Sequence, residues 1–83
     1  MVYRILLTSE VQRFLEKQDA PIRNRILEKF EHLKNNPQLE KALTASLAGL
    51  WSLRIGDYRA IYRIEQMELI VLVVRVGHRK NVY

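Results

Sequence analysis

The chain has no cysteine, only two prolines and three glycines, and its longest apolar run covers just residues 69–74. Without thiols there is no disulfide framework and no thiolate zinc site, so the fold must rest on hydrophobic packing, and an intracellular, cytoplasmic protein is expected. The apolar run is far short of the roughly 20 residues that span a bilayer, and no charged-then-apolar leader with a small-residue cleavage site is expected at the start. Acids are scarce as well. The only aspartates are Asp19 and Asp57, one near a helix cap and one in a turn, so no carboxylate cluster for Mg²⁺ is expected. His32 and His78 share no metal-ligand spacing, which disfavours zinc. Neither metal nor cofactor is expected.

What is present is cationic. Fourteen Lys and Arg against nine Asp and Glu leave a net charge of +5, which points to nucleic acid, ribosomes or an acidic protein as partner. Four of the five lysines (Lys17, Lys29, Lys34, Lys41) precede position 50, whereas five of the nine arginines (Arg54, Arg59, Arg63, Arg75, Arg79) follow it. Arginine is the better bidentate phosphate ligand, so the second half reads as the binding half. With 83 residues, a single domain over 1–83 is expected, near the lower size limit for a self-sufficient core.

The periodicity predicts an α+β order. Residues 2–7 are apolar and β-branched, a first strand, and Ser9 with Gln12 reads as a capping box opening a helix with Val11, Phe14 and Leu15 on one face. Asp19-Ala20-Pro21 restarts a helix whose stripe is Ile22, Ile26, Leu27, Phe30 and Leu33, ending at Asn35-Asn36-Pro37. The short link makes a helical hairpin. Residues 38–49 read as a connection with a helical turn around 39–43. From Leu50 the period becomes two: "LWSLRIGDYRAIYRI" carries a two-residue Gly56-Asp57 hairpin signal, and "LIVLVVRV" after Gln66-Met67 reads as a central strand buried on both faces. The expectation is one strand, a helical hairpin and a three-stranded antiparallel meander, with the helices on one face of the sheet.

If Gly56 and Asp57 are the whole loop, Arg54 stands opposite Arg59. One face then carries Trp51, Leu53, Ile55, Tyr58, Ala60, Tyr62 and Ile64, and the other Ser52, Arg54, Arg59, Ile61 and Arg63. Like charges directly opposite destabilise a sheet by up to about 1 kcal/mol, so this pair invites an anion. A two-residue loop at Gln66-Met67 places Arg75 on the core side, and an odd-length loop places it with the arginines. The second is expected, because burying an unpaired cation is costly. That strand then brings Gly77, His78 and Arg79 beside Arg54 and Arg59.

Arginines, a histidine and a tyrosine converging this way form a metal-free phosphodiester site: guanidinium groups hold the phosphate and stabilise developing charge, and His78 or Tyr83 can move a proton. RNA suits such a site better than DNA, because its 2′-OH is an internal nucleophile that leads to a 2′,3′-cyclic phosphate.

"LAGLWSLRIGDYRAIYRI" followed by "VVRVGHRKNVY" resembles the RelE/ParE superfamily of toxins from prokaryotic toxin–antitoxin systems, on the RelE side, over the whole chain. The resemblance implies a RelE-like fold and a ribosome-dependent endoribonuclease (mRNA interferase) that cuts mRNA in the A site, inhibits translation and arrests growth. It also implies a RelB-like antitoxin partner, with a toxin–antitoxin heterotetramer as one form of the complex. Matched by position, Arg59 corresponds to the family's phosphate-stabilising arginine, Arg79 to its C-terminal catalytic arginine and Tyr83 to its C-terminal tyrosine. Arg54 stands where well-studied members have a catalytic lysine, and Ser52 where a second basic residue is common. An always-protonated arginine is no base, which leaves His78 as the expected proton carrier and Tyr83 as a positioning or stacking group. Ser52, Arg63, Arg75 and Lys80 are the further residues expected at the RNA. A ParE-like toxin that inhibits DNA gyrase by binding, and an inactive RNA-binding relative, are the alternative readings.

Overall fold

The computed structural model describes residues 2–43 and 48–82. Strand β1 (Arg4–Leu7) leads directly into α1 (Ser9–Glu16). The helix start lies one residue before the expected capping box: Thr8 is the N-cap, its hydroxyl accepts from the Val11 N–H at 3.3 Å, and Gln12 Nε2 donates to the Leu7 carbonyl at 3.3 Å. Thr8 fills this place because its Oγ1 also donates to the Val74 carbonyl, 66 residues away, at 3.4 Å. Helix α2 (Ala20–His32) follows an Asp19 N-cap whose side chain makes no capping bond, with Pro21 in the first turn, where its missing N–H costs nothing.

The helical turn expected around 39–43 lies earlier. A 3₁₀ turn occupies Pro37–Leu39, and Lys41–Ala42 form a two-residue strand, β2, paired antiparallel with β3. The buried Tyr62 hydroxyl donates to the Pro37 carbonyl, tying this turn to the middle of the sheet. Burial, with a smaller effect from the Glu40 charge, pushes the Tyr62 phenol well above its ordinary value.

Strands β3 (Trp51–Ile55), β4 (Tyr58–Glu65) and β5 (Ile70–His78) complete a sheet of order β1-β5-β4-β3-β2. β1 runs parallel to β5, and the other pairs are antiparallel. The β3–β4 register is the one its two-residue turn dictates, with Arg54 opposite Arg59 and Trp51 opposite Tyr62. Gly56 takes a φ of 59°, which a two-residue hairpin turn requires. One face of the sheet (Leu53, Ile55, Ala60, Tyr62, Val71, Val73, Val76) packs on Val11 and Leu15 of α1 and on Ile26, Phe30 and Leu33 from α2 and its C-cap. Burying a side chain of this size is worth about 1.5–3 kcal/mol, and this core carries the fold.

The β4–β5 connection corrects another expectation. Glu65 pairs with Ile70, so the loop holds four residues, 66–69, with Met67 at its exposed tip and Leu69 in the left-handed region at φ 56°. An even loop by itself would send Arg75 into the core. A β-bulge between Ile61 and Tyr62 reverses this: Tyr62 pairs with Val73 and Ile61 with Arg75, leaving Val74 as the extra residue. Arg75 does reach the non-helical face, through the bulge and not through the loop length.

Candidate functional site

The turn end of the hairpin collects the cations. Arg59 leaves β4 on the face away from the helices, and its Nη1 donates to Ser52 Oγ at 3.4 Å. Ser52 is only 4 % exposed, so its hydroxyl is a buried support for the Arg59 guanidinium. Arg54, exposed, is the cross-strand neighbour of Arg59. This is the position next to the closing pair of a two-residue hairpin, where opposed Cα atoms approach to about 4.5 Å.

On the other side of Arg59 the partner residue is Gly77. A Cβ there would lie 3.4 Å from a methyl of Val82, which is 2 % exposed. The chain therefore does not run off the end of β5 but doubles back over it. The Arg79 N–H donates to the Asp57 carbonyl at 2.9 Å, the Asn81 N–H to the His78 carbonyl at 2.8 Å, and Arg75 Nη1 to the Val82 carbonyl at 3.3 Å. Arg79 and Lys80 are exposed on this turn. Tyr83 lies outside the described residues.

His78 does not join the arginine face. It pairs with Tyr58, one position along from the Arg59–Gly77 pair, and so belongs to the helix side, where its ring packs edge-on against Tyr58 at 5.9 Å. Strand alternation is the reason: adjacent residues face opposite ways, so a strand that sets Gly77 beside Arg59 must turn His78 away. The remaining expected contacts also separate. Arg63 is exposed, four residues along β4 from Arg59 and 3.4 Å from Glu65, while Arg75 lies 3.9 Å from Glu10 at the start of α1. Both ion pairs are solvent-exposed and of small energetic worth.

Three residues that the sequence reading left aside are part of this end of the molecule. Val82 anchors the returning chain; its signal was a lone aliphatic residue in a polar tail. Arg25 of α2 reaches the hairpin turn, with Nη1 3.7 Å from where a Cβ on Gly56 would sit. Phe14 of α1 extends the Tyr58–His78 contact, its ring 6.1 Å from that of Tyr58. Arg25 has no local sequence signal, and Phe14 shows in the sequence only as part of the apolar face of α1; each is brought here by helix packing.

A small sheet backed by two helices on one face, with the C-terminal segment returning over the other, is a fold shared with solved bacterial and archaeal toxins. The family model for the ParE toxin of type II toxin–antitoxin systems matches residues 5–83. The chain belongs to this RelE/ParE superfamily of type II toxins. Among its relatives, the toxin RelG of Mycobacterium tuberculosis is 35 % identical over 85 residues, covering 100 % of this chain and 98 % of RelG. The toxin RelE of the same organism is 34 % identical, covering 98 % of this chain and 86 % of that protein. A chain in the crystal structure of the M. tuberculosis toxin–antitoxin complex RelBE2 superposes with a TM-score of 0.87 at 34 % identity, over 95 % of this chain and 100 % of that one. A chain of the archaeal RelE–RelB complex of Pyrococcus horikoshii, at 23 % identity and a TM-score of 0.78, shares the fold over 98 % of this chain and 99 % of its own.

Proposed function

We propose that this toxin is a metal-independent endoribonuclease that cuts mRNA in the ribosomal A site and is held inactive by a RelB-like antitoxin. The observation that carries the reading is the Arg54–Arg59 cross-strand pair, with Arg59 braced on Ser52 and the C-terminal segment folded back over Gly77 beside it. Two opposed guanidinium groups are matched to one phosphodiester. Arg59 and Arg79 hold its non-bridging oxygens, and Arg54 adds charge to the same anion. The 2′-OH of the upstream ribose attacks the phosphorus as its proton leaves, the 5′-oxygen departs and takes up a proton, and a 2′,3′-cyclic phosphate remains. With His78 turned to the other face, the proton acceptor falls to Tyr83, which by position matches the family's C-terminal tyrosine. The solved RelBE2 complex of a similar chain supports an antitoxin partner, and the basic charge favours an acidic one.

The test is single-turnover cleavage of a defined message on programmed ribosomes. Wild-type protein is expected to cut within the A-site codon and leave a cyclic phosphate, with Arg59→Ala and Arg79→Ala each losing about 10²–10³ in rate. Undiminished cleavage by both variants overturns the assignment.

The match to a ParE family model keeps a second reading in place, inhibition of DNA gyrase by binding. A supercoiling assay separates the two. Gyrase inhibition by protein that leaves ribosome-bound mRNA intact establishes the second.

A further inference from the structure

On the helix side of the same sheet end, back to back with Arg59, lies a cleft of ≈ 490 Å³. Its aromatic lining is a row of Phe14, Tyr58 and His78, with consecutive ring centroids 6.1 and 5.9 Å apart and both interplanar angles 68°. Gln18, whose Nε2 donates to the Phe14 carbonyl at 3.1 Å, and Asn81 also line it, and the Glu10–Arg75 ion pair is part of its wall. Phe14, Tyr58 and His78 are each partly exposed, with Phe14 and Tyr58 packed against the edge of the core. His78 Nδ1 accepts from the Lys80 N–H at 3.5 Å, which leaves Nε2 as the ring's remaining polar atom.

Two turns separate this cleft from the arginine face, Gly56-Asp57 and residues 79–81, joined by the Arg79–Asp57 hydrogen bond. Their surroundings are cationic: Arg79 and Lys80 are exposed, and the Arg25 guanidinium lies against Gly56. Aromatic platforms next to a cationic track are the two elements by which proteins hold single-stranded nucleic acid, stacking for the bases and charge for the backbone. Amide side chains add donors and acceptors that match base edges.

Resting on the ribonuclease reading above, we infer that the Phe14–Tyr58–His78 cleft is a nucleobase subsite. A nucleotide flanking the one held at Arg59 carries its backbone around the end of the sheet, past Arg79, Lys80 and Arg25, and stacks its base in the cleft. Tyr58 and His78 are the stacking residues. Gln18 and Asn81 reach the base edge and are the residues able to discriminate one base from another.

The test uses the full-length protein and a short, uncleavable 2′-O-methyl oligoribonucleotide, compared with the same oligonucleotide lacking a base at one position at a time. Binding is measured by NMR titration at low ionic strength. Loss of one base is expected to weaken binding about 5- to 100-fold and to remove the shifts of the Tyr58 and His78 ring signals. Tyr58→Leu and His78→Ala, each verified as folded by circular dichroism, are expected to bind the intact and base-free forms equally. Binding that Arg59→Ala weakens, but that is indifferent to every base removal and to both cleft variants, overturns the subsite and leaves the arginine site standing. No binding of the oligonucleotide by wild-type protein overturns both.

Discussion

Truncating Val82 to alanine separates a docked tail from a merely packed one. Residues 79–82 are held by the Arg79–Asp57, Lys80–His78, Asn81–His78 and Arg75–Val82 hydrogen bonds and by the burial of the Val82 side chain. Ordering four residues costs about 4–8 kcal/mol of backbone entropy at 1–2 per residue, and four net hydrogen bonds return only about 2–6. The segment is therefore marginally docked, and Val82 decides the balance. Val82→Ala removes two methyl groups, about 1.6 kcal/mol at 0.8 per buried carbon, which is about 15-fold in the docking equilibrium. Amide hydrogen exchange reads this directly, because the Arg79 and Asn81 N–H groups are bonded only while the tail is in place. Their exchange is expected to accelerate about 15-fold, while core amides in β4 and β5 keep their rates, since local opening does not require global unfolding. Unchanged Arg79 and Asn81 rates, or a uniform acceleration across the whole sheet, refute the reasoning.

Other perturbations test separate features. Tyr62 keeps its proton in the folded protein to a higher pH than in the unfolded chain, because burial raises its phenol above 10.0. Its contribution is complete below pH 10 and is lost as pH rises beyond, so alkaline melting curves should be flatter for Tyr62→Phe than for wild type. At neutral pH that variant should lose about 1–3 kcal/mol, because the Pro37 carbonyl loses its donor. Thr8→Ala removes the α1 cap and a bond to β5, and a loss of about 1 kcal/mol, or about 4–8 °C in Tm, is expected in thermal denaturation. Sulfate at low ionic strength should raise the Tm of wild type more than that of Arg54→Thr, and equal shifts would contradict a shared anion site.

Local chemistry in the sequence was enough for the β3–β4 hairpin, since Gly56-Asp57 sets the turn and the turn sets every pair down to Trp51 opposite Tyr62. The helices were legible for the same reason: of their apolar stripes at 3.6 spacing, Val11, Leu15, Ile26, Phe30 and Leu33 are buried and Phe14 and Ile22 pack partly buried against them. Leu27, expected in the second stripe, is exposed at its margin. The β4–β5 pairing was not. The bulge at Val74 sits in an unbroken apolar run whose residues are alike on both faces, so periodicity cannot reveal that one is extra. The bulge brought Arg75 to the expected face by another route, whereas His78, expected beside Arg59, is turned to Tyr58 by strand alternation alone. Phe14 and Arg25 depend on where α1 and α2 pack, which no short stretch of sequence encodes.

The parallel pairing of β1 with β5 joins Arg4 to Ile70 and Leu7 to Val73, contacts between nearly the two ends of the chain. Pairings this distant in sequence are slow to form, since the loop must close before the contact returns any energy. During synthesis β1 has no strand to join until β5 has been made, and the chain that completes the sheet is the one that leads straight into His78, Arg79 and the Val82 anchor. The strand that completes the sheet is thus also the one that delivers the C-terminal part of the site, and a nascent chain stopped before β5 has the sequence of the Arg54–Arg59 hairpin but neither a partner for β1 nor the returning segment.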